Sequence, residues 1–199
     1  IVRLLTKLLR HAAEDRVAAT PETVKKMKGL GAEVAVEPGA GTKAGIPDAD
    51  FIAAGATVAA DAVKDADVVL KVRRPTEAEA RNYRRGALVI AIMDPFGNEA
   101  ALAAFADAGI VAFAMELMPR ITRAQVMDVL SSQANLAGYR AVIDAAAEYG
   151  RALPMMMTAA GTVPAAKVFV MGAGVAGLQA IATARRLGAI VTATDVRPA

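Results

Sequence analysis

One short segment near the end of the 199-residue chain constrains the fold more than any other. An apolar run from Lys167 to Met171 leads directly into Gly172-Ala-Gly-Val-Ala-Gly177, and a helical pattern follows from Leu178 to Leu187. Each of the three glycines has its own physical role, because the first allows a tight turn, the second lets a phosphate approach the backbone, and the third lets helix and strand pack closely. We therefore predict a strand, a tight turn and a helix, which begin a βαβ unit.

A second apolar run, Ala189 to Thr194, ends at Asp195, close to the ~20 residues that separate such a glycine turn from an acidic residue in dinucleotide-binding units. That carboxylate accepts hydrogen bonds from ribose hydroxyls, and the helix N-terminus attracts the phosphates. Because Val196 separates Asp195 from Arg197, the sequence favours NAD over NADP. Two alternatives stay open, a glycine turn that binds nothing and an Asp195 that caps a helix.

The residues expected to contact the adenosine and pyrophosphate lie in the turn, at the start of the helix and after the second strand. They are Gly172, Gly174, Val175, Ala176, Gly177, Asp195, Val196 and Arg197. A complete dinucleotide-binding domain needs further strands. We therefore expect this second domain to be truncated at its first βαβ unit.

The preceding residues alternate short β-type runs with helical patterns, which predicts a mostly parallel sheet covered by helices. The strands are predicted at Glu33–Val36, Val68–Leu70, Leu88–Ala91 and Ile110–Phe113, and the helices at Pro21–Leu30, Asn98–Ala108, Ile121–Leu130 and Ala134–Tyr149. The fold class is α/β, with two Rossmann-like doubly wound domains. We place the first at residues 1–150, and a linker with the first βαβ unit of the second at 151–199. The opening, Ile1 to Leu9, fits either a strand or a helix through Leu4, Leu5, Leu8 and Leu9.

Composition narrows the function classes. Hydrophobic residues make up 55% of the chain, enough for a buried core, and the net charge of only +3 without a basic, aromatic-rich cluster argues against nucleic acid. The absence of cysteine excludes thiol nucleophiles and thiolate metal sites, and we expect no metal site. The longest uncharged window is too short and too rich in glycine for a membrane span, so the sequence predicts a soluble domain.

The stretch from Met115 to Arg140 contains Met-Pro-Arg-Ile-Thr-Arg-Ala-Gln and Leu-Ser-Ser-Gln-Ala-Asn-Leu-Ala-Gly-Tyr-Arg. Together with Lys71–Pro75, Thr158–Pro164 and the glycine turn, it resembles the NAD(H)-binding domain of proton-translocating nicotinamide nucleotide transhydrogenases. The resemblance extends from about Glu14 to the end, and alanine dehydrogenases share several of the motifs.

The resemblance implies that a polar segment meets the nicotinamide of NAD(H). Its members are Arg120, Gln125, Asp128, Ser131 and Tyr139, with the first three closest to hydride transfer. Carboxylate, hydroxyl, amide and guanidinium groups can bind a carboxamide. The alternative from the residues alone is a capped helix start.

The resemblance also implies an oxidoreductase of the Si-specific, proton-translocating type, in which NAD(H) bound here exchanges hydride with NADP(H) on a partner domain. A further partner is the membrane domain that translocates protons. The chain would form a homodimer and lie as a peripheral domain on the cytoplasmic side of the bacterial inner membrane.

Two other functions remain in view. An alanine dehydrogenase needs an acid or base near its keto acid, and its relatives carry histidine where this chain has Met93-Asp94-Pro95. The one histidine, His11, lies in the irregular opening. Arg16 and Lys71 match the substrate-holding positions of those dehydrogenases, although a surface ion pair or a helix cap would explain them equally. The third possibility is a non-catalytic NAD-sensing module.

Overall fold

The computed structural model describes residues 3–5, 14–61 and 63–197. Its contacts divide the chain into two compact units, residues 1–124 and 125–199. The division falls before residue 150, where the sequence predicted the domain boundary, because the helix of residues 129–148 packs within the second unit. The α/β class with parallel sheets is confirmed.

The first unit is built on a six-stranded parallel sheet. Its strands are β1 (Arg3–Leu5), β2 (Glu33–Val36), β3 (Thr57–Val58), β4 (Val68–Arg73), β5 (Leu88–Ile92) and β6 (Val111–Ala114). They lie in the order β3-β2-β1-β4-β5-β6, so the direction in which strands are added reverses between β1 and β4. In open parallel sheets, ligands bind outside the carboxyl ends of the strands at such a reversal.

The opening of the chain contributes a central strand. Arg3–Leu5 pairs in parallel with β2 on one edge and with β4 on the other. The helix alternative is therefore wrong for these residues, because both backbone edges are used in the sheet. Leu8, Leu9 and His11 lie outside the described residues.

The α-helices described between these strands are α1 (Pro21–Gly29), α2 (Asp48–Ala53), α3 (Glu77–Ala80) and α4 (Glu99–Ala108). α1 begins where the sequence predicted because the Thr20 hydroxyl accepts a hydrogen bond from the Thr23 N–H at 3.3 Å and Pro21 occupies the first helical position. α4 ends at Gly109, whose φ of 69° is the left-handed conformation that terminates helices. α2 and α3 escaped prediction because they span only six and four residues, too few to show a helical period.

Alternate residues of the two strands β4 and β5 are buried, as expected for strands with one face against a core. Val69 and Val89 pack there with Met93 and Phe105. Lys71 belongs to the same buried row of β4, with only 7% of its surface exposed. A charged group in that position requires a partner of opposite charge.

The second unit contains α5 (Val129–Glu148), a hairpin of β7 (Met156–Thr158) and β8 (Gly161–Val163), and the βαβ unit β9 (Lys167–Met171), α6 (Val175–Arg186) and β10 (Ile190–Thr194). β9 and β10 pair in parallel with Thr194 opposite Met171. The strand, helix and strand predicted from the glycine turn are thus confirmed. No helix in the described part of the chain is long and apolar enough to cross a membrane.

Two sequence predictions in this region are wrong. Residues 121–130 are not an α-helix: a 3-10 helix covers Thr122–Met127 and α5 starts at Val129, because the Asp128 carboxylate binds the backbone N–H of Ser131 and starts a new helix. The stretch before β9 is not a plain linker, because β7 and β8 form an antiparallel hairpin in it. The Thr158 hydroxyl closes its turn by donating to the Gly161 carbonyl at 2.8 Å.

Candidate nucleotide-binding site

The glycine turn joins β9 to α6 and depends on glycine at two of its positions. Gly172 has a φ of 97°, which favours glycine, and its N–H donates to the Thr194 carbonyl at 2.7 Å. A Cβ atom on Gly177 would lie 1.8 Å from the Gly172 carbonyl oxygen. Strand and helix therefore approach each other as the sequence predicted for the first and third glycines.

The start of α6 leaves its backbone donors without a side-chain cap. Gly174 occupies the N-cap position and makes no side-chain hydrogen bond to the helix, and Val175 and Ala176 form the first turn. The first N–H groups of an α-helix have no partner within the helix, and the positive end of the helix dipole lies there. This turn has the geometry and the charge to receive a phosphate group, and glycine at position 174 keeps the approach open.

Asp195 follows β10 and reaches across to the glycine turn. Its carboxylate accepts hydrogen bonds from the Ala173 N–H at 2.6 Å and from the Arg197 N–H at 2.8 Å. The Arg197 guanidinium lies 3.2 Å from the same carboxylate. Hydrogen bonding to the Arg197 side chain, supported by the two backbone N–H groups, holds the Asp195 pKa well below its ordinary value. The carboxylate is therefore an anion at neutral pH, fixed against the turn.

The pairing of Arg197 with Asp195 corrects the sequence argument on nucleotide choice. Val196 does separate the two residues along the chain, and its side chain is fully exposed. The backbone nevertheless bends at residues 196 and 197, so that the Arg197 N–H and the Arg197 guanidinium both bind the Asp195 carboxylate. The Asp-x-Arg spacing was the signal that could have revealed this pair.

The polar residues expected at the nicotinamide lie around the start of α5. Asp128 is the N-cap residue: its carboxylate accepts from the Ser131 N–H at 2.9 Å and from the Ser131 hydroxyl at 2.6 Å. The capped-helix alternative thus describes what these two side chains do.

The other expected nicotinamide contacts are more exposed. Gln125 presents an exposed side chain three residues before Asp128. Tyr139, further along α5, is 49% exposed. Arg120 is also exposed and belongs to the first unit, whereas Asp128 and Ser131 belong to the second unit, where hydrogen bonds join them.

Charged residues also gather around the carboxyl end of β4 in the first unit. The Glu14 carboxylate binds Arg16 at 2.6 Å and Arg73 at 2.9 Å, and its side chain is only 6% exposed. These contacts, that with Arg16 first, lower the pKa of Glu14 to about 2. The buried Lys71 ammonium pairs with Glu79 at 2.8 Å, and Glu79 also accepts from the Thr76 N–H in a capping box.

Beside these pairs, a cavity of about 400 Å³ lies between the ends of β4 and β5, with Arg73, Thr76 and Asp94 among its lining residues. Asp94 has a φ of 46°, which is unusual for a residue with a side chain. Its N–H and that of Met93 both donate to the Glu116 carboxylate, which holds this loop. Sequence reasoning missed the part played by Glu116, because the contact joins residues more than twenty positions apart.

Comparison with known proteins agrees with this architecture. The family model described as the alanine dehydrogenase/PNT N-terminal domain matches residues 10–137, and that of the alanine dehydrogenase/PNT C-terminal domain matches residues 141–199. The first part of NAD(P) transhydrogenase subunit alpha from Rhodospirillum rubrum is 59% identical over 198 residues, which cover 96% of this chain and 52% of that protein. Alanine dehydrogenase of Mycobacterium tuberculosis is 34% identical over 189 residues, covering 92% of this chain and 50% of that protein.

Among solved structures, the crystal structure of transhydrogenase from Sinorhizobium meliloti superposes with a TM-score of 0.93 at 68% identity, covering 98% of this chain and 59% of that chain. The chain thus spans about half the length of the curated relatives that it matches. The two family models together cover the glycine turn, the start of α5 and the strands β2 to β6 of the six-stranded sheet. The chain belongs to the alanine dehydrogenase/PNT family, with greater similarity to transhydrogenase alpha subunits than to alanine dehydrogenases.

Proposed function

We propose that this chain is part of the NAD(H)-binding component of a proton-translocating, Si-specific NAD(P) transhydrogenase. NAD(H) would bind on this chain, and NADP(H) on a separate domain of the same complex. A membrane domain would couple the reaction to protons, and the component would act as a homodimer on the cytoplasmic side of the bacterial inner membrane. The observation that carries the proposal is the Asp195 carboxylate held against the Ala173 N–H, beside an α6 start that has no side-chain cap.

The residues of the turn fit the two halves of the adenosine diphosphate group. The missing Cβ atoms at Gly172 and Gly177 leave a cradle of backbone, and the α6 N-terminus supplies N–H groups and a favourable dipole. An ionised Asp195 accepts hydrogen bonds from ribose hydroxyls and repels a 2′-phosphate, which supports NADH over NADPH. Arg197 screens part of that charge and weakens the repulsion, so the preference rests mainly on the hydrogen bonds that the ribose hydroxyls donate to Asp195.

The bound nicotinamide supplies the chemistry, in which a hydride leaves NADH and is accepted by NADP⁺. The protein contributes orientation and exclusion of water, and direct hydride transfer requires no acid or base from this chain. Asp128 and Ser131, rigidly joined by two hydrogen bonds, would offer an acceptor to the carboxamide, and Gln125 and Arg120 would donate to it. Gln125 is the residue whose exposed amide can reach towards the second nucleotide.

The test compares Gln125→Asn with Gln133→Asn, a matched change at an exposed glutamine of α5 outside the proposed site. In the complex with the NADP(H)-binding partner, NADH affinity is measured by calorimetry, and single-turnover transfer is followed with an NADP⁺ analogue of shifted absorbance. Misplacing the ring by ~1 Å costs on the order of 100-fold in rate, so Gln125→Asn should slow transfer strongly at nearly unchanged affinity. Gln133→Asn should behave as the unmodified protein.

Parallel losses of affinity and rate would reduce Gln125 to a binding residue, and an unchanged rate would remove it from the site. Absence of any transfer from NADH to the NADP⁺ analogue in the unmodified complex would refute the transhydrogenase function. Steady consumption of NADH with pyruvate and ammonia would instead support an alanine dehydrogenase. We expect none, because Asp94 stands where the histidine of those enzymes would move a proton.

A further inference from the structure

The helices α5 and α6 touch through their backbones at one point. Gly138 is one of two buried residues in α5. A Cβ atom there would lie 2.1 Å from the Ala176 carbonyl oxygen and 3.0 Å from the Ala176 Cα atom. Because the obstructing atoms belong to the backbone, no change of side-chain rotamer could make room for a larger residue.

A pair of amides ties the two helices together beside this contact. The Asn135 side-chain amide donates to the side-chain oxygen Oε1 of Gln179 at 3.2 Å, and the side-chain nitrogen Nε2 of Gln179 donates to the Thr183 hydroxyl at 3.1 Å. Further along, Val142 of α5 shares a small core with Ala184 of α6. The helices are therefore in contact at several successive turns, and at Gly138 there is no room for even one additional methyl group.

These two helices carry the two ends of the proposed dinucleotide site. α5 begins at the capped Asp128 on the nicotinamide side, ~15 Å along the helix from Gly138. α6 begins at the glycine turn on the phosphate side, and Ala176, which Gly138 touches, is in its first turn. The Gly138–Ala176 contact thus joins the helix that orients the ring to the helix that receives the phosphates.

We propose that Gly138 is a positioning residue, which sets the spacing between the start of α5 and the glycine turn so that one NAD(H) molecule reaches both. The inference rests on the proposed function, because it concerns the two ends of that site. Gly138 itself contacts the helix and acts on the nucleotide only through α5.

The size of the effect follows from the geometry. Ordinary van der Waals contact begins at 3.4 Å, so alanine at position 138 requires the helices to separate there by about 1 Å. If α5 pivots about Val142, which lies ~6 Å along the helix from Gly138, the movement grows towards Asp128 to on the order of 3 Å. That displacement exceeds the ~1 Å that costs on the order of 100-fold in rate.

The experiment uses Gly138→Ala in the intact transhydrogenase complex and measures ADP affinity, NADH affinity and single-turnover hydride transfer. ADP reaches only the phosphate side, so its affinity should stay within about twofold, whereas NADH affinity should fall about tenfold and transfer about 100-fold. The matched control is Gly29→Ala, the same change in α1 with no atom within 4 Å of the new Cβ, which should change none of the three. A merely structural role would lower ADP and NADH affinity together.

A milder variant, Gln179→Met, keeps the test decisive if Gly138→Ala does not fold. It removes the amide tie to Asn135 while preserving side-chain length, and should reduce transfer roughly three- to tenfold with ADP affinity retained. Equal losses for ADP and NADH, or no loss of transfer in either folded variant, would overturn the positioning role. If the unmodified complex binds NADH but transfers no hydride, the proposed function fails, and the ratio of NADH to ADP affinity still tests Gly138.

Discussion

Gly177→Ala tests the phosphate side of the site with a single methyl group. The new Cβ would lie 1.8 Å from the Gly172 carbonyl oxygen and 2.8 Å from its carbonyl carbon. Reaching the 3.4 Å of ordinary contact requires about 1.5 Å of movement between the turn and α6. Because the new Cβ atom is attached to the α6 backbone and meets the backbone carbonyl of Gly172, either the turn or the helix has to move.

Overpacking of this kind costs about 1–3 kcal/mol, which corresponds to roughly tenfold to 100-fold in an equilibrium constant. If the turn moves, the Ala173 N–H leaves the Asp195 carboxylate and NADH affinity falls. If α6 moves instead, its contact with α5 loosens and the free energy of unfolding falls. The two losses should together amount to the whole cost, whichever side yields.

The assay combines NADH titration by calorimetry with urea unfolding, for the wild type, Gly177→Ala and the open-space control Gly29→Ala. The control should match the wild type in NADH affinity and should not lower the free energy of unfolding, because nothing lies near its new methyl group and alanine is favoured over glycine in a helix. A Gly177→Ala protein with unchanged NADH affinity and unchanged unfolding free energy would refute the backbone contact on which the argument depends.

Three further predictions concern charged groups. Lys71→Met should lower the free energy of unfolding by about 1–3 kcal/mol, because it leaves the mostly buried Glu79 carboxylate without its cation. The rate of hydride transfer should stay within about twofold of wild type. Slowed transfer at unchanged stability would instead give Lys71 a functional role. Glu14→Gln should be less stable than wild type above pH 4.5. The difference should vanish as the pH falls through about 2, because protonation of Glu14 in the wild type removes its ion pairs with Arg16 and Arg73 as the substitution does. A difference in the free energy of unfolding by urea that persists at pH 2 would contradict this. Arg120→Lys should slow hydride transfer about tenfold, because it replaces a planar guanidinium, which can donate two parallel hydrogen bonds, with a single ammonium group. Arg123→Lys, at a second exposed arginine, should leave the rate unchanged. Equal rates of transfer in the two variants would remove Arg120 from the site.

The sequence predicted those helices and strands that a local pattern of apolar and turn-forming residues is sufficient to indicate. The strands β2, β5, β9 and β10 were located within a residue or two, because short apolar runs end near glycine, proline or aspartate. α5 was predicted as a helix, but its start was misplaced because the Asp128 carboxylate accepts a hydrogen bond from the Ser131 N–H and so caps the helix there. The β7–β8 hairpin was missed because strands of three residues show no usable alternation.

Contacts between distant residues account for what the sequence could not predict. The strand order across the six-stranded sheet, the anchoring of the Asp94 loop by Glu116 and the close approach of Gly138 to Ala176 each depend on the tertiary fold. The Arg197–Asp195 pair is different, because aspartate side chains commonly bind the backbone two residues further on, and the Asp-x-Arg spacing would have indicated the contact. Residue roles at the nicotinamide remain predictions from family resemblance.

The β7–β8 hairpin places thioether sulfurs where an oxidant can reach them. Met157 is 82% exposed, whereas Met93 in the core of the first unit is 1% exposed. Peroxide converts accessible methionine to its sulfoxide, which is polar and heavier by one oxygen atom. Brief oxidation should therefore mark Met157 long before Met93, and a mass spectrum of the intact complex would report whether another surface shields the hairpin.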